Sequence, residues 1–137
     1  MEHLAPPGLS DTSNYGFTQV VTVPAETTLA YIAGQGSGLT AAGTYPESFE
    51  EQVDRAFENL RTALSGIGAT PEDVVKITVL SVEHSDDRLK IISAARRSFW
   101  PDKKPASTLI PVPRLATSGM LFEIDAIAVI RHPADET

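Results

Sequence analysis

The sequence predicts an α+β fold of order β-β-α-β-α-β-β, with two helices on one face of a mixed sheet. Three observations carry this. Residues 46–65 place Phe49, Val53, Ala56, Phe57, Leu60, Ala63 and Leu64 at spacings of 3 and 4, the mark of an amphipathic helix. Residues 74–82 (VVKITVLSV) are a nearly continuous apolar run, suited to a strand in the middle of a sheet. Residues 121–130 alternate between two faces. Phe122, Ile124, Ala126, Ala128 and Ile130 form one, and Leu121, Glu123, Asp125, Ile127 and Val129 the other. The first is set to pack on the helices. A sheet covered on one side only must hide its other face, and a second copy of the chain is the usual solution.

In chain order, residues 1–14 are rich in Pro, Gly and Ser and lack periodicity, so they read as an N-terminal arm. Residues 15–137 then make a single domain. Residues 15–23 and 28–33 are rich in aromatic and β-branched side chains and predict two strands paired as a hairpin across Pro24. The Gly-rich run that begins at Gly34 lacks the Lys-Ser/Thr of a phosphate-binding loop, so turn geometry and close backbone approach explain it better. Gln52 and Asn59 fall on the first helix as polar, solvated surface. Residues 70–73 read as a capped turn with Pro71 at its first position. Ser85 caps a second helix over 86–99, whose buried stripe is Leu89, Ile92, Ala95 and Phe99. Residues 106–112 and 121–130 read as two strands joined by a short turn. Within them, Glu123 is a carboxylate in an apolar strand, where burial without a partner is costly. Ser107 opens the other strand, and the two positions are expected to face one ligand pocket.

The chain has 137 residues, a net charge of −7 and 42% hydrophobic residues, an ordinary globular composition for one domain. The negative charge argues against nucleic acid or an anionic membrane as the main partner. There is no cysteine, which excludes disulfides and thiolate chemistry. His3, His84 and His132 stand far apart, so no metal site and no cofactor is expected. No apolar run approaches the roughly 20 residues of a membrane span, and the first residues lack a secretory pattern. A cytoplasmic location is the default expectation. Ser107, His84 and Glu123 are the residue types of a hydrolytic triad. However, Ser107 has no Gly-x-Ser-x-Gly surroundings.

Four segments, SNYGFTQVV, YIAGQGSG, SFEEQVDRAFENLRTALSGIGATPEDVVKITVL and KPASTLIPVPRL…LFEIDAIAV, resemble the reactive intermediate (imine/enamine) deaminase family, also called Rid or YjgF. The resemblance runs from Tyr15 to Val129. It implies a chorismate-mutase-like fold and a homotrimer with small-molecule clefts between subunits. It also implies hydrolysis of short-lived imines or enamines. By the same resemblance Glu123 is the catalytic, water-handling glutamate. Phe17, Gly34, Ser107 and Thr108 are implied as substrate-binding, and Gln35 completes the family's Gly-Gln.

One departure changes the expectation. The family's Pro-Ala-Arg motif, whose Arg grips a substrate carboxylate, reads Pro105-Ala106-Ser107 here. Serine cannot make that paired, charge-assisted contact, worth about 1.5–3 kcal/mol per hydrogen bond. Arg114 and Lys104 are the nearby cations in sequence that would replace it, and Ser93 stands where a ligand-contacting Asn is common. The expected function is therefore hydrolysis of a small enamine, imine or related metabolite, other than standard 2-imino acid deamination. A non-catalytic metabolite-binding or regulatory trimer is the alternative.

Overall fold

The computed structural model describes residues 1–131. Its strands are β1 (Glu2–Leu4), β2 (Val20–Thr22), β3 (Thr28–Gln35), β4 (Val74–Val82), β5 (Ala106–Val112) and β6 (Phe122–Ile130). Its helices are α1 (Phe49–Gly66) and α2 (Asp86–Phe99). Ser48 caps α1 by accepting the Glu51 amide at 3.2 Å, and Ser85 caps α2 by accepting the Arg88 amide at 3.1 Å. Each cap satisfies an amide that helix geometry leaves without a partner. The short turn Pro71–Asp73 is closed by the Thr70 amide donating to Asp73 Oδ2 at 2.9 Å.

The main sheet has the order β3-β6-β4-β5, with β4 parallel to β5 and antiparallel to β6. Both helices cover one face. The apolar stripe of α1 meets Ile77 and Val79 of β4 and Phe122, Ile124, Ala126 and Ala128 of β6, all 2% exposed or less. Aromatic rings close the layer: Phe57 meets Phe99 edge-on at 5.2 Å, and Phe99 meets Trp100 at 4.7 Å. The buried Trp100 indole donates to the Pro71 carbonyl at 2.7 Å, so the residue that ends α2 also fixes the turn before β4.

Two expected pairings are replaced. The second strand pairs with β6 rather than with β2, and β2 pairs with β1 in a separate antiparallel ribbon. The cause lies in residues 16–18. Thr18 donates its amide to the Pro105 carbonyl at 2.9 Å and bridges Ala106 at the β5 edge. β3 occupies the opposite edge, with β6 and β4 between. The predicted first strand is accordingly shortened, because Ser13–Tyr15 is a 3-10 turn and Gly16 has a left-handed φ of 81°. The arm itself supplies β1. Likewise β5 and β6 are not a hairpin: β4 lies between them, and residues 113–121 cross its end. Pro111 fits this arrangement, because β5 is an edge strand and tolerates a missing amide donor.

Gln52 and Asn59 are not solvated surface. Gln52 is 1% exposed. It donates to the carbonyls of Pro46 and Gly119 and accepts the Leu121 amide, each at 2.8 Å. Asn59 donates to the Gly36 carbonyl at 2.8 Å. These amides tie α1 to the loops after β3 and before β6. Replacing Gln52 with Leu leaves three backbone groups without that partner. It should lower unfolding stability by about 2–3 kcal/mol, measured by urea titration, whereas Asn59→Leu should cost less.

Candidate functional site

The expected site residues separate into two groups, fixed by strand register. Ser107 is in register with Ile77, and Ile77 with Ala126, so Ser107 points to the helix-covered face. Glu123 is in register with Leu80 and points to the open face. A single chain therefore does not bring Ser107 and Glu123 into one pocket.

On the open face, Glu123 lies against Gly34. A β-carbon built on Gly34 would fall 1.7 Å from Glu123 Oε1 and 2.6 Å from Cδ. Gly34 sits where the β3–β6 register shifts between Ile32 and Gln35, and a residue with no side chain is what lets the carboxylate lie there. Gln35 turns away and donates to the Ala33 carbonyl. Further along this face Thr108 accepts from Lys76 Nζ at 2.7 Å. Asp125 accepts the Thr78 amide at 2.9 Å. Tyr31, in register with Ile127, is 76% exposed, and Leu29 and Ile110 are also exposed.

The second group is built on Arg96, a residue the helical pattern placed in no role. It is 2% exposed. Its Nη1 donates to Ser107 Oγ at 3.0 Å, and its guanidinium lies 5.2 Å from the Phe17 ring centroid. Nε has no hydrogen-bond partner among the described residues. No ion pair to Arg96 occurs among them either; the two present join Arg61 to Glu58 and Arg131 to Asp73. Burial holds its pKa down to about 10, so it remains a cation at neutral pH. Gly16 fixes the approach of residue 17, since a β-carbon there would fall 2.5 Å from Arg96 Cβ. The available signal was spacing: Arg96 lies four residues after Ile92 and three before Phe99, on the buried stripe itself.

The cations expected near Ser107 are engaged elsewhere in the chain. Arg114 donates to the carbonyls of Leu115 and Ala116, and Lys104 to those of Pro101 and Asp102. His84 bonds Ser81 Oγ at 2.9 Å, so it forms no triad with Ser107. Ser93 is buried, one turn before Arg96, with its hydroxyl lacking a partner among the described residues. His132 lies outside the described residues. Among the described residues no group of three or more His, Cys, Asp or Glu is placed to hold a metal ion. A cavity of about 520 Å³ between the arm and the start of β3 includes His3, Glu26 and Lys103, and none of the expected site residues.

Residues 12–130 match the family described as Endoribonuclease L-PSP, which is the Rid/YjgF family. The chain belongs to the Rid/YjgF family. Its 102-residue match to the RutC family protein YjgH of Escherichia coli (strain K12) is 31% identical, covering 74% of this chain and 76% of that one. The crystal structure of a Rid-family protein of unknown function, YyfB from Yersinia pestis, superposes with a TM-score of 0.84. It is 30% identical and covers 93% of this chain and 97% of that one. RidA from the Antarctic bacterium Psychrobacter sp. PAMC 21119 shares the fold at a TM-score of 0.67 and 24% identity, over 83% of this chain and 88% of that one. The Rid fold is chorismate-mutase-like, in accord with the element order above.

Arg96 also sets a stability test. Its folded pKa is held down to about 10, below the ordinary guanidinium value, by burial. Between these values the unfolded chain binds more protons, so wild-type stability gains as pH rises through that window. Below it the cost of burying the charge is present in full. Arg96→Met should therefore be more stable than wild type at pH 7–9 by about 1–3 kcal/mol. That advantage should shrink above about pH 10, as read by paired denaturant titrations.

Proposed function

We propose that this Rid/YjgF protein is a homotrimer whose intersubunit clefts hydrolyse a small enamine, imine or related metabolite, with Glu123 handling the water. The observation that carries this reading is the Glu123 carboxylate seated on Gly34, on a sheet face that carries exposed Tyr31. Three features support assembly: the helices cover one face only, exposed apolar side chains stand on the other, and the family resemblance implies a trimer. Because one chain parts Glu123 from Ser107, a shared cleft takes them from two copies.

The chemistry asked of Glu123 is modest. As water adds to the C=N carbon, the carboxylate accepts a proton from it. That proton passes to the nitrogen to complete a carbinolamine; the carboxylate then takes the carbinolamine hydroxyl proton and delivers it to the nitrogen as the C–N bond breaks, leaving a carbonyl product and ammonia or an amine. Neither a cofactor nor a metal is required. With Ser107 in place of a guanidinium, the substrate is held differently from a 2-imino acid gripped through two parallel hydrogen bonds. The family description names an endoribonuclease, but a chain of net charge −7 is poorly suited to a polyanion.

Light scattering on the purified chain should give the trimer mass. Hydrolysis should be measured on 2-iminopropanoate generated in situ and on neutral imines, and 2-iminopropanoate should be turned over more slowly than by relatives that carry the Arg of the Pro-Ala-Arg motif. Glu123→Gln should lower kcat by about 100-fold or more. Gly34→Ala should lower it similarly by displacing the carboxylate, at a stability cost of only about 1 kcal/mol. Turnover that survives Glu123→Gln would remove the proposed role. Ligand binding without turnover of any imine would favour the non-catalytic alternative. Trimers mixed from Glu123→Gln and Ser107→Ala chains should recover part of the activity that homogeneous trimers of either variant lose.

A further inference from the structure

The Arg96 guanidinium is almost wholly buried, and among the described residues it has no paired carboxylate and its Nε has no acceptor. Among the described residues its one hydrogen bond to a side chain runs to Ser107 Oγ at 3.0 Å, and its Cζ lies over the Phe17 ring, 5.2 Å from the centroid. The direction of the Arg96–Ser107 bond is forced. Arginine has donors only, so Ser107 must accept. A hydroxyl has one proton, and that proton is then free for a second partner. Ser107 is half-buried, whereas Arg96 is not accessible. The serine is therefore the atom a ligand meets. A hydroxyl that accepts from a cation is polarised and becomes a stronger donor.

We propose that Arg96 and Ser107 act as one anion-reading pair. Arg96 supplies positive charge from inside the chain. The Ser107 hydroxyl, its proton turned outward, makes the contact with a small ligand bearing a negatively charged oxygen. Arg96 is a positioning residue in this scheme, and the Phe17 ring packs against its guanidinium. The contact is single, so it gives charge selectivity without the two-point grip of an exposed arginine. The inference rests on the reading that Ser107 lines a small-molecule cleft, but it does not depend on turnover.

The test is calorimetric or NMR titration of the purified chain with propanoate and propanamide, which match in shape and differ in charge. Wild type should bind propanoate about tenfold more tightly, a difference of about 1.4 kcal/mol. Ser107→Ala and Arg96→Met should each abolish that preference, and the double variant should lose no more than either single one. Arg96→Lys, which keeps the charge, should retain a preference above about threefold. Thermal unfolding checks that each variant is folded, and Ser107→Ala alone carries the test should Arg96→Met not fold. Equal binding of the two probes by wild type overturns the proposal, as does a preference that survives Arg96→Met or Ser107→Ala, or one that Arg96→Lys abolishes. Glu123→Gln should keep the propanoate preference, which separates failure of this pair from failure of the hydrolytic reading.

Discussion

Two helices packed on one face of a four-stranded sheet set the terms for everything else in this protein. The stripe of α1 and the inner side chains of β4 and β6 bury one another completely, and at roughly 25 cal/mol per Å² of apolar surface this is the main favourable term in folding. Among the described residues nothing covers the other face in the same way. Glu123, Thr108 and Asp125 lie there beside Tyr31 and Ile110. The same asymmetry that stabilises the chain thus leaves a half-apolar, half-polar surface, which is where the proposed cleft between copies would form.

Buried polar groups include some that fasten the chain and two on α2, Ser93 and Arg96, with an atom lacking a hydrogen-bond partner among the described residues. Gln52 is fully used: both amide ends are bonded to backbone groups of the flanking loops. Asp73 closes its turn through Thr70 and pairs with Arg131 at 2.7 Å. Arg96 differs in that its charge has no opposing charge and its Nε no acceptor among the described residues. A satisfied network specifies a fold, whereas an uncompensated one needs another reason to persist.

What the sequence made legible follows from how local each signal was. Helix positions, caps and the two faces of β6 depend on periodicity within one segment, and the structure reproduces them. Pairing partners are non-local, and there the reading of adjacent strands as hairpins failed twice. Both failures have one origin: β4 and β6, the two strands buried on the helix side, take the centre of the sheet and push β3 and β5 to its edges. Gln52 and Arg96 were missed because a polar residue on an apolar stripe looks like a break in the pattern. Their burial depends on backbone carbonyls and on a serine far away in the chain, which spacing does not reveal. Glu123 and Ser107 were individually conspicuous, but strand parity, invisible until β5 is placed beside β4, puts them on opposite sides of the sheet.

The position of Arg96 bears on why Ser107 is tolerated. An arginine projecting from β5 would carry its own charge to the sheet edge, with solvent to share it. Moving the charge to α2 and leaving a serine on β5 keeps a cation near the same edge, but it now sits behind a hydroxyl and against a phenylalanine ring. Folding gains little from this arrangement, because methionine or leucine at position 96 would fill the same space on the stripe between Ile92 and Phe99 without desolvating a charge. A protein that retains the more costly residue, and aligns Gly16, Phe17 and Ser107 around it, is trading some stability for the polarised hydroxyl of the proposed anion-reading pair.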